Sequence, residues 1–160
     1  MYFRKFVNTT LSITAVLLFV PASVQAGTMS GSGHNANQNI STEVEKLPDG
    51  RTLMMTHDAS VIMGNNKGNP FHLASLDCYA TYIVAADGNS GNGNGYCHGV
   101  DKDNDVWWIT FSGDFTGGTW AFTGGTGKFD GISGGGTYTP AAQVHGGRSL
   151  NVWDGTWQMK

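Results

Sequence analysis

The stretch from Asp114 to Tyr138, DFTGGTWAFTGGTGKFDGISGGGTY, decides the fold of this chain. Glycine clusters separate short runs of Trp, Phe, Ile, Thr and Tyr, and aromatic and β-branched residues favour the pleated surface of a β-sheet. Glycine permits tight corners, bulges and close approach between backbones. The stretch therefore predicts short antiparallel strands joined by sharp bends, but it identifies no reaction and no substrate.

Within this stretch, the segment from Thr123 to Gly131 resembles the GGTGxFxG signature of the allene oxide cyclase and dirigent-like β-barrels. The residues that carry the resemblance are Gly124, Gly125, Thr126, Gly127, Phe129 and Gly131. The resemblance implies an exported bacterial member of that superfamily, a small antiparallel barrel around an apolar cavity. It also implies that the motif shapes a bend between two strands. The catalytic polar residues of the family have no identifiable match here, so the resemblance implies a fold rather than an activity.

Residues 1–26 have the features of a secretory signal peptide. Arg4 and Lys5 precede an apolar core from Leu11 to Val20, and the small residues up to Ala26 are typical of a cleavage site. The apolar core is short for a transmembrane helix. We therefore predict a periplasmic or secreted protein without a membrane partner after cleavage.

The rest of the chain is predicted to be a leader and one domain. Residues 27–39 are small and polar, which predicts a disordered leader because they offer little apolar area to bury. Residues 40–160 alternate apolar runs with turn residues, which predicts an all-β domain, a single small antiparallel β-barrel of about eight strands. One strand is expected from Thr52 to Met63, and its odd-numbered positions, which include His57, form the more apolar face.

Cys78 and Cys97 are the two cysteines of the chain, and they flank a connection rich in Gly and Asn. Export to an oxidising compartment favours a disulfide between them. The alternative, two free thiols in a redox or metal site, lacks a Cys-x-x-Cys motif.

An acidic run follows the strand that contains Cys97, and its alternating carboxylates resemble the opening of a calcium-binding loop. The candidate ligands are Asp101, Asp103 and Asp105. Val106 stands where such a loop needs glycine, and Ser112 stands where it needs the closing glutamate. We interpret the run as a structural turn with Asn104 or Asp103 in the left-handed conformation, and we predict no metal site.

Several function classes lack their motifs. The chain has no His-Glu-x-x-His motif, and its five His are scattered. Asp58, Asp77 and Asp114 could meet in space as paired carboxylates, which the sequence does not decide. The formal net charge of −3 and the absence of a basic stripe argue against nucleic acid as a partner. No cofactor is predicted, and whether the protein is an enzyme stays open.

Three functions remain. The preferred one is binding of a small apolar or aromatic ligand in the barrel cavity. The second is a cyclase, isomerase or dirigent-like enzyme that uses the same cavity, as the resemblance implies. The third is a structural or surface-interaction protein with a filled barrel, and a homo-oligomer is compatible with each. The candidate ligand-binding residues are His57, His72, Trp107, Trp120 and Trp153.

Overall fold

The computed structural model describes residues 27–160, and the predicted signal peptide lies outside them. The described chain is a closed barrel of eight antiparallel strands in which each strand pairs with its neighbours in sequence. The strands are β1 Thr28–Lys46, β2 Thr52–Gly64, β3 Ser75–Val84, β4 Gly91–Val100, β5 Val106–Asp114, β6 Gly117–Gly125, β7 Ser133–Val144 and β8 Arg148–Gln158. A 3₁₀ turn, Gly127–Phe129, lies between β6 and β7. The predicted all-β barrel is confirmed.

No helix within residues 27–160 is long and apolar enough to span a membrane.

Residues 27–39 are predicted to be a disordered leader, but in the structure nearly all of them belong to β1. This polar segment forms the first two thirds of β1, where it pairs with β8 from Thr28 to Gln38 and with β2 from Gly33 onward. The prediction assumed that a segment without apolar residues has nothing to bury. Here the strand is held by backbone hydrogen bonds on both edges, and its inward side chains form a polar wall of the barrel interior.

The second strand also differs from the simplest expectation for its sequence. The more apolar, odd-numbered face of β2 points outward, where Met55, Val61 and Met63 are exposed. The even-numbered positions, among them Thr56 and Asp58, line the interior. Alternation was predicted correctly, but the usual rule that the apolar face points inward is reversed on this polar side of the barrel.

One end of the barrel is closed by a cluster of aromatic side chains. Phe129 is fully buried, and its ring lies 4.9 Å from that of Trp107 and 5.5 Å from that of Phe71, measured between centroids. The Phe71 ring also meets Trp157 edge-on at 5.0 Å. This cluster is the main apolar core, so most of the interior packing is concentrated at one end.

The glycine motif builds this closed end. The amide of Thr126 donates to the carbonyl of Val106, and its hydroxyl accepts from the Val106 amide, so the turn is tied to the start of β5. Gly127 has a positive φ of 54°, and a side chain at Gly125 would collide with the backbone and Cβ of Phe129. The motif therefore bends the chain so that Phe129 enters the barrel, which matches the structural role implied by the resemblance.

The predicted disulfide is confirmed. Cys78 on β3 and Cys97 on β4 are direct cross-strand partners and are bonded to each other. Both face the interior, so the disulfide is part of the cavity wall as well as a link between two strands.

The aromatic closure predicts where stability is most sensitive to mutation. Phe129→Ala should lower the free energy of unfolding by about 3–5 kcal/mol, because a fully buried ring is lost from a packed cluster. Phe115→Ala, which removes a ring that is 41% exposed at the other end, should cost about 1 kcal/mol or less. Urea unfolding followed by circular dichroism measures both. Equal losses in the two variants would contradict the assignment of the core to the closed end.

Candidate functional site

The barrel encloses a cavity of about 750 Å³. Its inner end is formed by residues of the aromatic closure, such as Phe71 and Trp107. It extends to the opposite end of the barrel, where Phe115 and Gly147 from the β5–β6 and β7–β8 turns line it. Since Phe115 is 41% exposed, this end is the mouth of the cavity.

One wall of the cavity is polar and belongs to β8, β1 and β2. Ser60 donates to Asn37 Oδ1 at 2.6 Å, and Asn37 Nδ2 donates to Ser149 Oγ at 3.1 Å. Nearer the mouth, Asn39 Nδ2 donates to Asp58 Oδ1 at 3.1 Å. These cross-strand bonds fix the orientation of the amide groups, so the wall presents preorganised polar atoms to the interior.

The facing wall, from β3 to β7, is largely apolar and aromatic. Trp120 meets Phe122 edge-on at a centroid distance of 5.2 Å, and Phe111 meets Tyr138 in the same way at 6.0 Å. Trp120 Nε1 donates to the carbonyl of Thr137 at 3.1 Å, which holds its indole in place. A flat apolar molecule could stack or pack against these rings while its polar atoms face the other wall.

Two tyrosines and two carboxylates lie toward the mouth. Burial and the charge of Asp58 raise the pKa of Tyr82. Burial, with smaller effects of Tyr82 and Asp114, raises the pKa of Tyr138 to about 12. Both phenols therefore stay protonated at neutral pH and are available as hydrogen-bond donors to a molecule in the cavity.

The five residues predicted as ligand contacts fall into two groups. Trp107, Trp120 and Trp153 line the cavity. His57 lies on the outer surface of β2, stacked on Tyr79 at 4.3 Å. His72 belongs to the β2–β3 connection and does not line the cavity.

The direction in which each side chain points decides whether Asp58, Asp77 and Asp114 form a pair of carboxylates in one site. Asp58 and Asp114 both line the cavity. Asp77 points outward, where its Oδ1 lies 3.2 Å from His57 Nε2 and its Oδ2 lies 4.0 Å from His98 Nε2. The three carboxylates therefore do not form one site.

Sequence reasoning missed the polar wall. Asn35, Asn37 and Asn39 all line the cavity, and their alternation along the chain is a strand signal with a period of two. That signal was available, but the low hydrophobicity of the segment obscured it.

The acidic run forms a turn that is closed by a lysine from the glycine motif. Asp101 Oδ1 accepts the amides of Asp103 and Asp105 at 2.8 and 3.0 Å, and Asn104 has a φ of 65°, as predicted for one of the two central residues. The Lys128 ammonium contacts the Asp101 carboxylate and lies 2.8 Å from Asp103 Oδ2. Lys102 and Lys128 lower the pKa of Asp103 to about 2. Among residues 27–160, no group of three or more His, Cys, Asp or Glu side chains is arranged to hold a metal ion.

Fold and site together define a small closed antiparallel barrel with an internal, two-sided cavity. Solved structures with the same architecture include those of the pterocarpan synthase dirigent proteins GePTS1 and PsPTS1. The GePTS1 structure superposes with a TM-score of 0.53 at 11% identity, covering 92% of this chain and 99% of that one. The PsPTS1 structure gives a TM-score of 0.54 at 12% identity, covering 84% and 97%. The chain thus has the dirigent-like β-barrel fold, as the glycine motif implied.

No protein-family model matches the chain, and no curated protein has significant sequence similarity to it.

The contacts of Lys128 predict that the acidic turn does not take up calcium. A calcium ion would have to displace an ammonium that already neutralises Asp101 and Asp103. Calorimetric titration with calcium should therefore show no saturable heat. Micromolar binding that disappears in Asp103→Ala, but survives in the control Asp87→Ala at the β3–β4 turn, would contradict this prediction.

Proposed function

We propose that this protein binds a small, mainly apolar or aromatic molecule inside the barrel. The observation that carries the proposal is the cavity of about 750 Å³, lined by an aromatic wall and a hydrogen-bonded polar wall. Its volume lies within the range of natural small-molecule sites, and its mixed lining is typical of them. A barrel whose interior is filled by its own side chains, the structural alternative, agrees poorly with a cavity of this size.

Unpaired polar atoms on the cavity wall support the proposal. Trp153 is 6% exposed, and its Nε1 has no hydrogen-bond partner among the described residues. The same holds for Asn35 Oδ1 and Thr56 Oγ1. Buried polar atoms are normally paired, so this incomplete hydrogen bonding distinguishes the lining from a filled and fully satisfied barrel core.

The expected affinity has a simple physical basis. Burying about 200 Å² of apolar ligand surface contributes roughly 5 kcal/mol before the entropic cost of association. Hydrogen bonds to the polar wall would then set the orientation of the ligand more than its affinity.

A substrate-directing or cyclising activity in the same cavity is the second candidate. The observation that favours it is the common fold with two proteins described as pterocarpan synthase dirigent proteins. In this chain burial raises the pKa of Tyr82 and of Tyr138, so both phenols stay protonated at neutral pH and can act as hydrogen-bond donors to a substrate. The cavity itself supports binding directly, and catalysis would be a further step after it.

Export of the mature chain is part of the proposal. The Cys78–Cys97 disulfide supports it, because such bonds persist in the periplasm and outside the cell. The predicted cleavage after Ala26 is checked directly by N-terminal sequencing of the protein released by its own host.

The binding proposal predicts a specific effect of one tryptophan. The neutral dye Nile red should bind with one-to-one stoichiometry and quench tryptophan emission. Trp120→Ala should weaken binding about tenfold, equivalent to roughly 1.4 kcal/mol, because the variant loses a large aromatic contact. The matched control is Trp108→Ala on the same sheet, since Trp108 does not line the cavity.

Two outcomes would contradict the proposal. One is the absence of saturable dye binding to the wild-type protein. The other is an equal loss of affinity in Trp108→Ala and Trp120→Ala, which would mean that the dye binds elsewhere or responds only to stability.

A further inference from the structure

We propose that the cavity selects an organic cation, an aromatic or alkyl molecule that carries an ammonium-type group. The inference rests on the proposed ligand-binding function and goes beyond it, since it assigns a charge to the ligand. Three features of the interior point the same way: its formal charge, its aromatic rings and the free carboxylate oxygen of Asp58.

The first feature is the charge of the lining. Asp58 and Asp114 both line the cavity, whereas none of the described lining residues is Lys, Arg or His. Neither carboxylate takes part in a salt bridge within residues 27–160. Low-dielectric walls focus the field of such charges, so the interior attracts cations and repels anions.

The second feature is the aromatic wall opposite the carboxylate Asp58. Trp120, Phe122 and Tyr138 present π-electron faces and edges to the same space. The face of an aromatic ring carries partial negative charge and stabilises a cation within about 6 Å of its centre. A cation in the cavity would therefore be favoured by the aromatic lining as well as by the carboxylates, whereas a neutral ligand would gain mainly from apolar burial.

The third feature is the hydrogen-bonding capacity of the polar wall. Among the described residues, Asn39 is the side-chain donor bonded to Asp58. Its Nδ2 donates to Oδ1 of the carboxylate. That leaves Oδ2 of Asp58 without a hydrogen-bond partner among the described residues. An ammonium group supplies up to three N–H donors, one of which suits this free carboxylate oxygen.

The two tyrosines of the lining add no charge to the cavity at neutral pH. Burial, with a smaller effect of Asp58, raises the pKa of Tyr82, and burial raises the pKa of Tyr138 to about 12. Both phenols are therefore neutral at neutral pH, and Asp58 and Asp114 are the acidic side chains of the lining.

A series of probes with one ring system and three charges tests the inference. The probes are 1-naphthylmethylammonium, 1-naphthylmethanol and 1-naphthoate, each titrated calorimetrically into the purified protein at low and high salt. We expect the cation to bind about tenfold more tightly than the alcohol at low salt, as charge-assisted hydrogen bonds are stronger than neutral ones. The anion should bind most weakly, and only the cation should lose affinity as salt increases.

Asp58→Asn is the deciding variant, because it removes the charge and keeps the shape of the side chain. It should abolish the preference for the cation over the alcohol, and a circular dichroism spectrum that matches the wild type shows that the variant is folded. The matched control is Asp77→Asn, which removes one negative charge from the outer surface of the neighbouring strand. The control should keep the full preference.

Each outcome is informative. Equal affinities for cation and alcohol in the wild-type protein would overturn the cation inference and leave the binding function standing. A preference that persists in Asp58→Asn, or that disappears equally in Asp77→Asn, would overturn the role of the cavity carboxylate. If neither the alcohol nor the cation binds the wild-type protein, the proposed function and this inference both fail. Should Asp58→Asn not fold, the wild-type charge series alone decides.

Discussion

The hydrogen-bonded ladder between β1 and β8 is the constraint on which the rest of the structure depends. It joins Thr28–Gln38 to Arg148–Gln158 and leaves the sheet without an open edge at this seam. In a closed sheet, alternation sends every second side chain into one enclosed space. The chemistry of the cavity is therefore set by half of the residues on each strand, and a one-residue change of register on β1 would turn its cavity-facing asparagines outward.

Closure also separates the part of the interior that stabilises the barrel from the part that is available to a ligand. The aromatic rings of Phe71, Trp107, Phe129 and Trp157 pack against one another at one end and fill it. Some of this packing depends on missing side chains, since a Cβ at Gly99 would collide with the indole of Trp107. Because the closed end supplies the dense packing, the remaining length of the barrel can hold a cavity.

The polar wall shows how a polar strand can be buried in part without a large penalty. Its amides and hydroxyls bond to each other across β8, β1 and β2, as in the chain Ser60–Asn37–Ser149. A satisfied network of this kind costs far less than isolated polar groups. On the same wall Asn39 holds the carboxylate of Asp58 in place, and that carboxylate is the basis for a directed interaction with a ligand.

The sequence by itself determined the fold class, the glycine bend and the disulfide. These depend on local signals: the alternation of strands, the demand for small residues near Phe129, and two cysteines placed across one connection. The acidic turn could also be predicted from the sequence, because Asn104 and its neighbours form a local structure. The contact of this turn with Lys128 could not be predicted, because Lys128 lies elsewhere in the chain.

Only the tertiary structure decided which side chains face the cavity. Composition favours apolar residues inside, and it therefore predicts a disordered leader at residues 27–39 and a ligand contact at His57. The curvature of the closed sheet instead turned Asn35 and Asp58 inward and His57 outward. Both faces of a strand have the same period in the sequence, and only the partner strands, far away along the chain, determine which face becomes the interior.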